Sequence, residues 1–255
     1  MQIKVYENSL RADRCRELLS ASGLIRRYSE IILLPIPTTR DGVLLSGSET
    51  SVLDAVAYAD EDTLVAGYGI PDEALEVLSS FGAAAVDVAR DEGFLARNAE
   101  LTATAALGIL LTTERRAPSD MRIGIAGYGR IGRALFEKLM FLGASVKVFT
   151  TREALRLELA ESGVASGAFP IGRDELDVDI LINTAPSTVL ADGFLAEWAE
   201  DIRIIDLASG AEFASGVRIE RYPSLPARVY PESAGRIWAE AIERGAMLAG
   251  GGKNG

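Results

Sequence analysis

The residues Gly127-Tyr128-Gly129-Arg130-Ile131-Gly132 have the types and spacing to hold a diphosphate. An apolar, β-rich run containing Ile123 and Ile125 precedes them. A helical pattern of Ala134, Leu135, Leu139, Met140 and Leu142 follows at once. In such a strand–turn–helix each glycine has a mechanical task. The first makes the tight turn, the second lets the backbone approach a pyrophosphate, and the third lets helix and strand pack closely. The helix start adds unpaired N–H groups and positive partial charge. The segment therefore predicts a dinucleotide site.

The strand after that helix should end beside the cofactor ribose, about 20 residues on. It reads Ala144-Ser145-Val146-Lys147-Val148-Phe149-Thr150-Thr151-Arg152. An NAD site would place Asp or Glu at that tip to accept from the 2′-hydroxyl. Thr150, Thr151 and Arg152 suit a 2′-phosphate instead, so NADP is expected ahead of NAD. Arg152 could otherwise simply cap the helix that follows, Glu153–Ser162.

Other strand ends supply the remaining candidates, because ligands of open α/β sheets bind beyond the carboxyl ends of strands. Asn183-Thr184-Ala185-Pro186 is expected beside the cofactor ribose and nicotinamide, with Asp206 and Ser209 at the next strand end. Asp206 could equally cap a turn. In the N-terminal half, Arg40 is a candidate bidentate clamp for a substrate carboxylate, with Asp41 beside it. A solvated loop is the alternative there. Asn98 and Thr102 lie one helical turn apart and could face one ligand, although such residues also bond back to their own helix. Ser233 is read as the start of the last helix, as an anion-receiving end or an ordinary cap. Arg40, Asp41, Asn98, Thr102, Asp206 and Ser233 are thus the catalytic candidates, and no metal site is expected.

Two α/β halves must position these residues. Residues 1–93 read as alternating strands (2–6, 30–34, 63–66, 84–88) and helices (11–21, 51–59, 72–81). Residues 94–117 read as a long connecting helix. Residues 118–231 form the dinucleotide domain, with strands near 164–169, 178–183, 203–206 and 217–220. A helix over 232–249 is expected to return to the first domain, and 250–255 to be disordered. The fold class is α/β, with two Rossmann-like, doubly wound parallel sheets.

Composition narrows the chemistry. The chain has 255 residues, 26 basic against 37 acidic, a net charge of −11 and no histidine. The acidic balance argues against nucleic acid or an anionic membrane as partner. No apolar run approaches the roughly 20 residues of a membrane span, and no signal peptide is evident. Cys15 is the single cysteine, which excludes a disulfide framework and fits a cytoplasmic location. Lysine occurs only at 4, 138, 147 and 253. Dehydrogenases that use a histidine or lysine as proton donor cannot be assembled from these parts.

Several segments together resemble the dipicolinate synthase A family. They are Leu34-Pro35-Ile36-Pro37-Thr38-Thr39-Arg40-Asp41-Gly42, Asn98-Ala-Glu-Leu-Thr102-Ala-Thr104, the glycine turn through Arg133, Ile182-Asn183-Thr184-Ala185-Pro186, Ile205-Asp206-Leu-Ala-Ser209 and Leu225-Pro226 through Pro231-Glu-Ser-Ala234-Gly235. The resemblance implies an NADP-dependent oxidoreductase that oxidises a dihydro- or hydroxytetrahydro-dipicolinate to dipicolinate, in the diaminopimelate/lysine branch and sporulation. It implies a small anionic substrate and a second, flavoprotein-like synthase subunit; a homo-oligomer, formed through the exposed lobe edges, is expected separately. The N-terminal lobe diverges, with Tyr6-Glu7-Asn8-Ser9 at a strand end that is usually glycine-rich and Thr104 where Glu is usual. A non-catalytic NADP-binding paralogue, serving as assembly partner or sensor, is therefore the alternative, as is a reductase of another small carboxylic acid.

Overall fold

The computed structural model describes residues 2–186, 188–190, 200–208, 211, 213 and 215–250. The chain divides into two compact units, Met1–Asn98 with Pro226–Gly255, and Ala99–Leu225. Ser209 and residues 251–255 lie outside the described residues.

The first unit is a parallel sheet of four strands in the order β1 (Gln2–Val5), β2 (Glu30–Leu33), β3 (Thr63–Gly67) and β4 (Ala84–Asp87). β3 is buried along its whole length, as expected for a parallel strand covered on both faces. Helices α1 (Leu10–Ser20), α2 (Val52–Val56) and α3 (Asp72–Ser80) connect the strands. Ser9 caps α1, its hydroxyl accepting from the Ala12 amide at 3.2 Å. A core of Ile32, Leu34, Leu45, Val56, Val65 and Leu78 lies under α2 and α3. The last helix, α8 (Pro231–Gly250), packs on α1 and β4 and buries Trp238 completely. Cys15 is fully buried on α1.

Helix α4 (Glu92–Thr113) links the units. It stops four residues short of the expected 117, and Thr112 and Thr113 turn their hydroxyls back onto the Gly108 and Ile109 carbonyls in its last turn. Pro118 then forces Ala117 into an extended conformation. Contrary to the expectation of no long apolar run, α4 is long and apolar enough to cross a membrane by length and composition. Its alanines 99, 103, 105 and 106, with Leu110, are buried within the protein.

The second unit is a six-stranded parallel sheet in the order β10-β9-β8-β5-β6-β7. The strands are β5 (Arg122–Ala126), β6 (Ser145–Phe149), β7 (Ala165–Gly167), β8 (Ile180–Asn183), β9 (Arg203–Asp206) and β10 (Ile219–Arg221). α5 (Arg130–Phe141) and α6 (Glu153–Glu161) cross between the first of them. The chain winds outward in both directions from β5, so the switch point lies between β5 and β8. Leu225-Pro226 opens a short helix, α7 (Leu225–Val229), because proline is accepted in a first helical turn.

Candidate cofactor site

The carboxyl end of β5 meets a cavity of about 600 Å³. Gly127 turns the chain there at φ +91° and donates its N–H to the Phe149 carbonyl at 2.9 Å. Gly132 is buried against that turn, where a Cβ would stand 2.3 Å from the Gly127 carbonyl oxygen. Gly129 occupies the cap position of α5 and offers no side chain to its first N–H groups. A Cβ at Gly129 would meet no protein atom within 4 Å. The turn is therefore closed on its inner side and open on its outer side.

Three arginines line this cavity, Arg130, Arg133 and Arg152, and no acidic residue is among the described residues that line it. Thr150, Thr151 and Arg152 reach it from the end of β6. Thr150 is buried, and its Oγ1 accepts from the Arg152 amide at 3.3 Å. Arg152 stands at the cap position of α6 but makes no side-chain cap bond. Its Nη2 donates to the Tyr128 carbonyl at 3.1 Å. Thr184, Ala185 and Pro186 form the wall beyond β8, and Thr184 Oγ1 donates to the Ala126 carbonyl at 3.0 Å.

Four expected contacts take other roles. Asn183 is wholly buried and does not line the cavity. Its Nδ2 donates to the Ala185 carbonyl at 3.0 Å and to Asp206 Oδ1 at 2.8 Å, while its Oδ1 accepts from the Ala185 amide. It shapes the wall from behind. Asp206 is 3% exposed, and its Oδ1 also accepts from the Ala208 amide at 3.1 Å. This arrangement fits the turn cap of the two readings. Ile131 and Gly132 are not among the residues that line the cavity; Gly132 is buried against the turn. Arg133 and Phe169, not singled out by the sequence, do line it. Arg133 had a signal, for it follows Gly129 by four residues and so shares its helical face.

In the first unit, Arg40 and Asp41 are exposed on the loop after β2, beside a cavity of about 420 Å³. Asp41 Oδ1 accepts from the Val43 and Leu44 amides and from Thr39 Oγ1. These bonds hold its carboxyl below the usual carboxylate range. They give it a loop-forming role. A buried pair, missed by the sequence, fastens the same loop. Glu7 Oε2 accepts from the Ile36 amide at 3.0 Å and Arg11 Nη2 donates to the Ile36 carbonyl at 3.3 Å. Glu7 and Arg11 themselves join at 2.6 Å. On α4, Asn98 is half-buried and Thr102 buried. α8 begins at Pro231, and the Tyr230 carbonyl accepts from the Ala234 amide. Ser233 is therefore the third helical residue and not its start, which corrects the expectation. Among the described residues no group of three or more acidic or cysteine side chains could hold a metal ion.

No family model matches the chain. The dipicolinate synthase A protein of Bacillus subtilis (strain 168) is 33% identical over 135 residues, which is 48% of this chain and 44% of that protein. The match thus spans less than half of either. The solved dipicolinate synthase A structure from Bacillus subtilis superposes with a TM-score of 0.71 at 19% identity, over 99% of this chain and 97% of its own. The corresponding structure from Bacillus halodurans gives 0.72 at 20% identity, over 97% and 98%. The chain is similar to dipicolinate synthase A in sequence over about half its length, and in fold over nearly all of it.

Proposed function

We propose that the chain is an NADP-dependent oxidoreductase that oxidises a dihydro- or hydroxytetrahydro-dipicolinate to dipicolinate. The observation that carries this reading is the arginine-lined cavity at the outer side of the glycine turn, with no acidic residue among its described lining residues. A carboxylate at the end of β6 would repel a 2′-phosphate; Arg152, Thr150 and Thr151 suit one. When bound, the nicotinamide supplies a hydride acceptor, and aromatisation of the ring supplies driving force. The protein then needs to do little beyond positioning. That demand fits a chain without histidine. Arg40 is the proposed anchor for a ring carboxylate, with Asn98, Thr102 and Ser233 as further substrate-side candidates. The relative is named as one part of a multi-part synthase, which supports as partner a second synthase subunit. A homo-oligomer is part of the same reading.

The test has two steps. The purified protein is melted with NADP, NAD and pyridine-2,6-dicarboxylate, singly and in pairs. NADP at a hundred times its Kd adds about 2.7 kcal/mol of stability by mass action. Freshly generated dihydrodipicolinate precursor is then supplied with NADP and NADPH is followed by absorbance. Turnover supports the oxidoreductase. Binding without turnover sinks it in favour of the non-catalytic paralogue, a reading favoured by the structural use of both Asp41 and Asp206.

A further inference from the structure

The cavity at the β5–α5 turn holds two separate sets of donors. The first is the start of α5 beside Gly127 and Gly129, where a diphosphate would be received. The second gathers around Tyr128. That ring lies edge-on to Phe136, with centroids 5.6 Å apart and planes at 77°. It packs against the cluster of Val148, Leu155 and Leu159, so its orientation is fixed by its neighbours. The Arg133 guanidinium lies over the ring, 5.4 Å from its centroid. Arg152, arriving from the other side of the cavity, bonds the carbonyl of the same residue. One helix and one strand-end loop thus deliver a guanidinium each to Tyr128.

Resting on the NADP reading above, the geometry points to Arg133 as a second determinant of cofactor choice. It would close with Arg152 on the 2′-phosphate, with the Tyr128 ring as its seat. A phosphate monoester near neutral pH carries nearly two negative charges, which two guanidiniums match. A 2′-hydroxyl in the same place would find two cations and, among the described lining residues, no carboxylate to accept its hydrogen bond. Stacking on the ring limits the rotamer freedom that a long, exposed arginine would otherwise lose on binding.

The test measures the Kd of NADP, NAD and 2′,5′-ADP by calorimetry for the wild-type chain and for Arg133→Ala, Arg133→Lys and Arg152→Ala. Arg133 is exposed on α5, so alanine there should preserve the helix, which circular dichroism checks. The expected result is that Arg133→Ala weakens NADP and 2′,5′-ADP about tenfold or more and leaves NAD within about twofold. Lysine should restore part of the loss, since it keeps the charge and loses the planar stack. Equal weakening of NADP and NAD by Arg133→Ala would overturn the assignment, because it would mark a diphosphate or structural role. So would retention of the NADP preference in Arg133→Ala when Arg152→Ala abolishes it, and that outcome leaves the NADP reading standing. A wild-type chain that does not prefer NADP overturns both.

Discussion

Gly132 and Gly129 belong to one motif, yet the structure predicts opposite consequences for replacing them with alanine. At Gly132 the new Cβ would stand 2.3 Å from the Gly127 carbonyl oxygen and 3.1 Å from Thr184 Oγ1. An ordinary C···O contact is roughly 3.4 Å, so about 1 Å must be found by moving backbone. Overpacking of this kind costs about 1–3 kcal/mol. At a backbone contact of 2.3 Å the upper part of that range applies, about 2–3 kcal/mol; alanine returns about 1 kcal/mol through helix propensity, leaving a net loss of about 1–2 kcal/mol. For a chain of this size that is a fall of roughly 2–8 °C in Tm. At Gly129 the Cβ meets no protein atom. There the poorer helix cap and the stiffer unfolded chain offset each other within a few tenths of a kcal/mol. That Cβ would instead enter the space through which a pyrophosphate approaches. Thermal melts with and without NADP separate the two effects. Gly132→Ala should melt early, whereas Gly129→Ala should melt like wild type and lose about tenfold or more in NADP affinity. The reasoning fails if Gly132→Ala melts at or above the wild-type temperature, or if Gly129→Ala binds NADP as well as wild type.

Three further outcomes follow from single contacts. Asp206→Ala removes the acceptor for Asn183 Nδ2 and the Ala208 amide and should cost about 1–3 kcal/mol, read as a lower urea midpoint; an unchanged midpoint refutes it. Glu7→Ala leaves the Arg11 charge and the Ile36 amide buried without their acceptor. About 3 kcal/mol should be lost in the same assay, and a loss under about 1 kcal/mol would deny the pair its role. Asp179 bonds the Arg122 side chain and amide, and lies 3.1 Å from Arg116; these partners hold its pKa near 2, below the ordinary 3.8. Its contribution is therefore complete above about pH 4 and is lost as pH falls toward 2. Asp179→Asn should be less stable at neutral pH and show a flatter acid limb between those values, measured by melts across pH.

The parallel sheets were legible because their evidence is local. Apolar strands such as β3, helical spacing in α5 and the glycine turn can each be read within a dozen residues. The back of the site could not be read that way. Asn183 and Asp206 are 23 residues apart and meet only because β8 and β9 pair in the register that sets them side by side. Glu7 and Ile36 meet for the same reason, brought together by the neighbouring ends of β1 and β2. Both acids looked catalytic or neutral in sequence, and burial decided their work. Arg133 was hidden differently. Its position on the α5 face was legible, but its partner is the face of an aromatic ring whose orientation depends on packing under α6.

The first unit takes its last helix from the far end of the chain, after the whole of the second unit has been made. During synthesis β1 to β4 emerge long before α8, so the surface of α1 and β4 that Trp238 will fill stays wet until then. The second unit is continuous and can complete its sheet first. A chain ending before α8 should therefore leave the α1 and β4 surface open, and limited proteolysis should cut its first unit faster than its second.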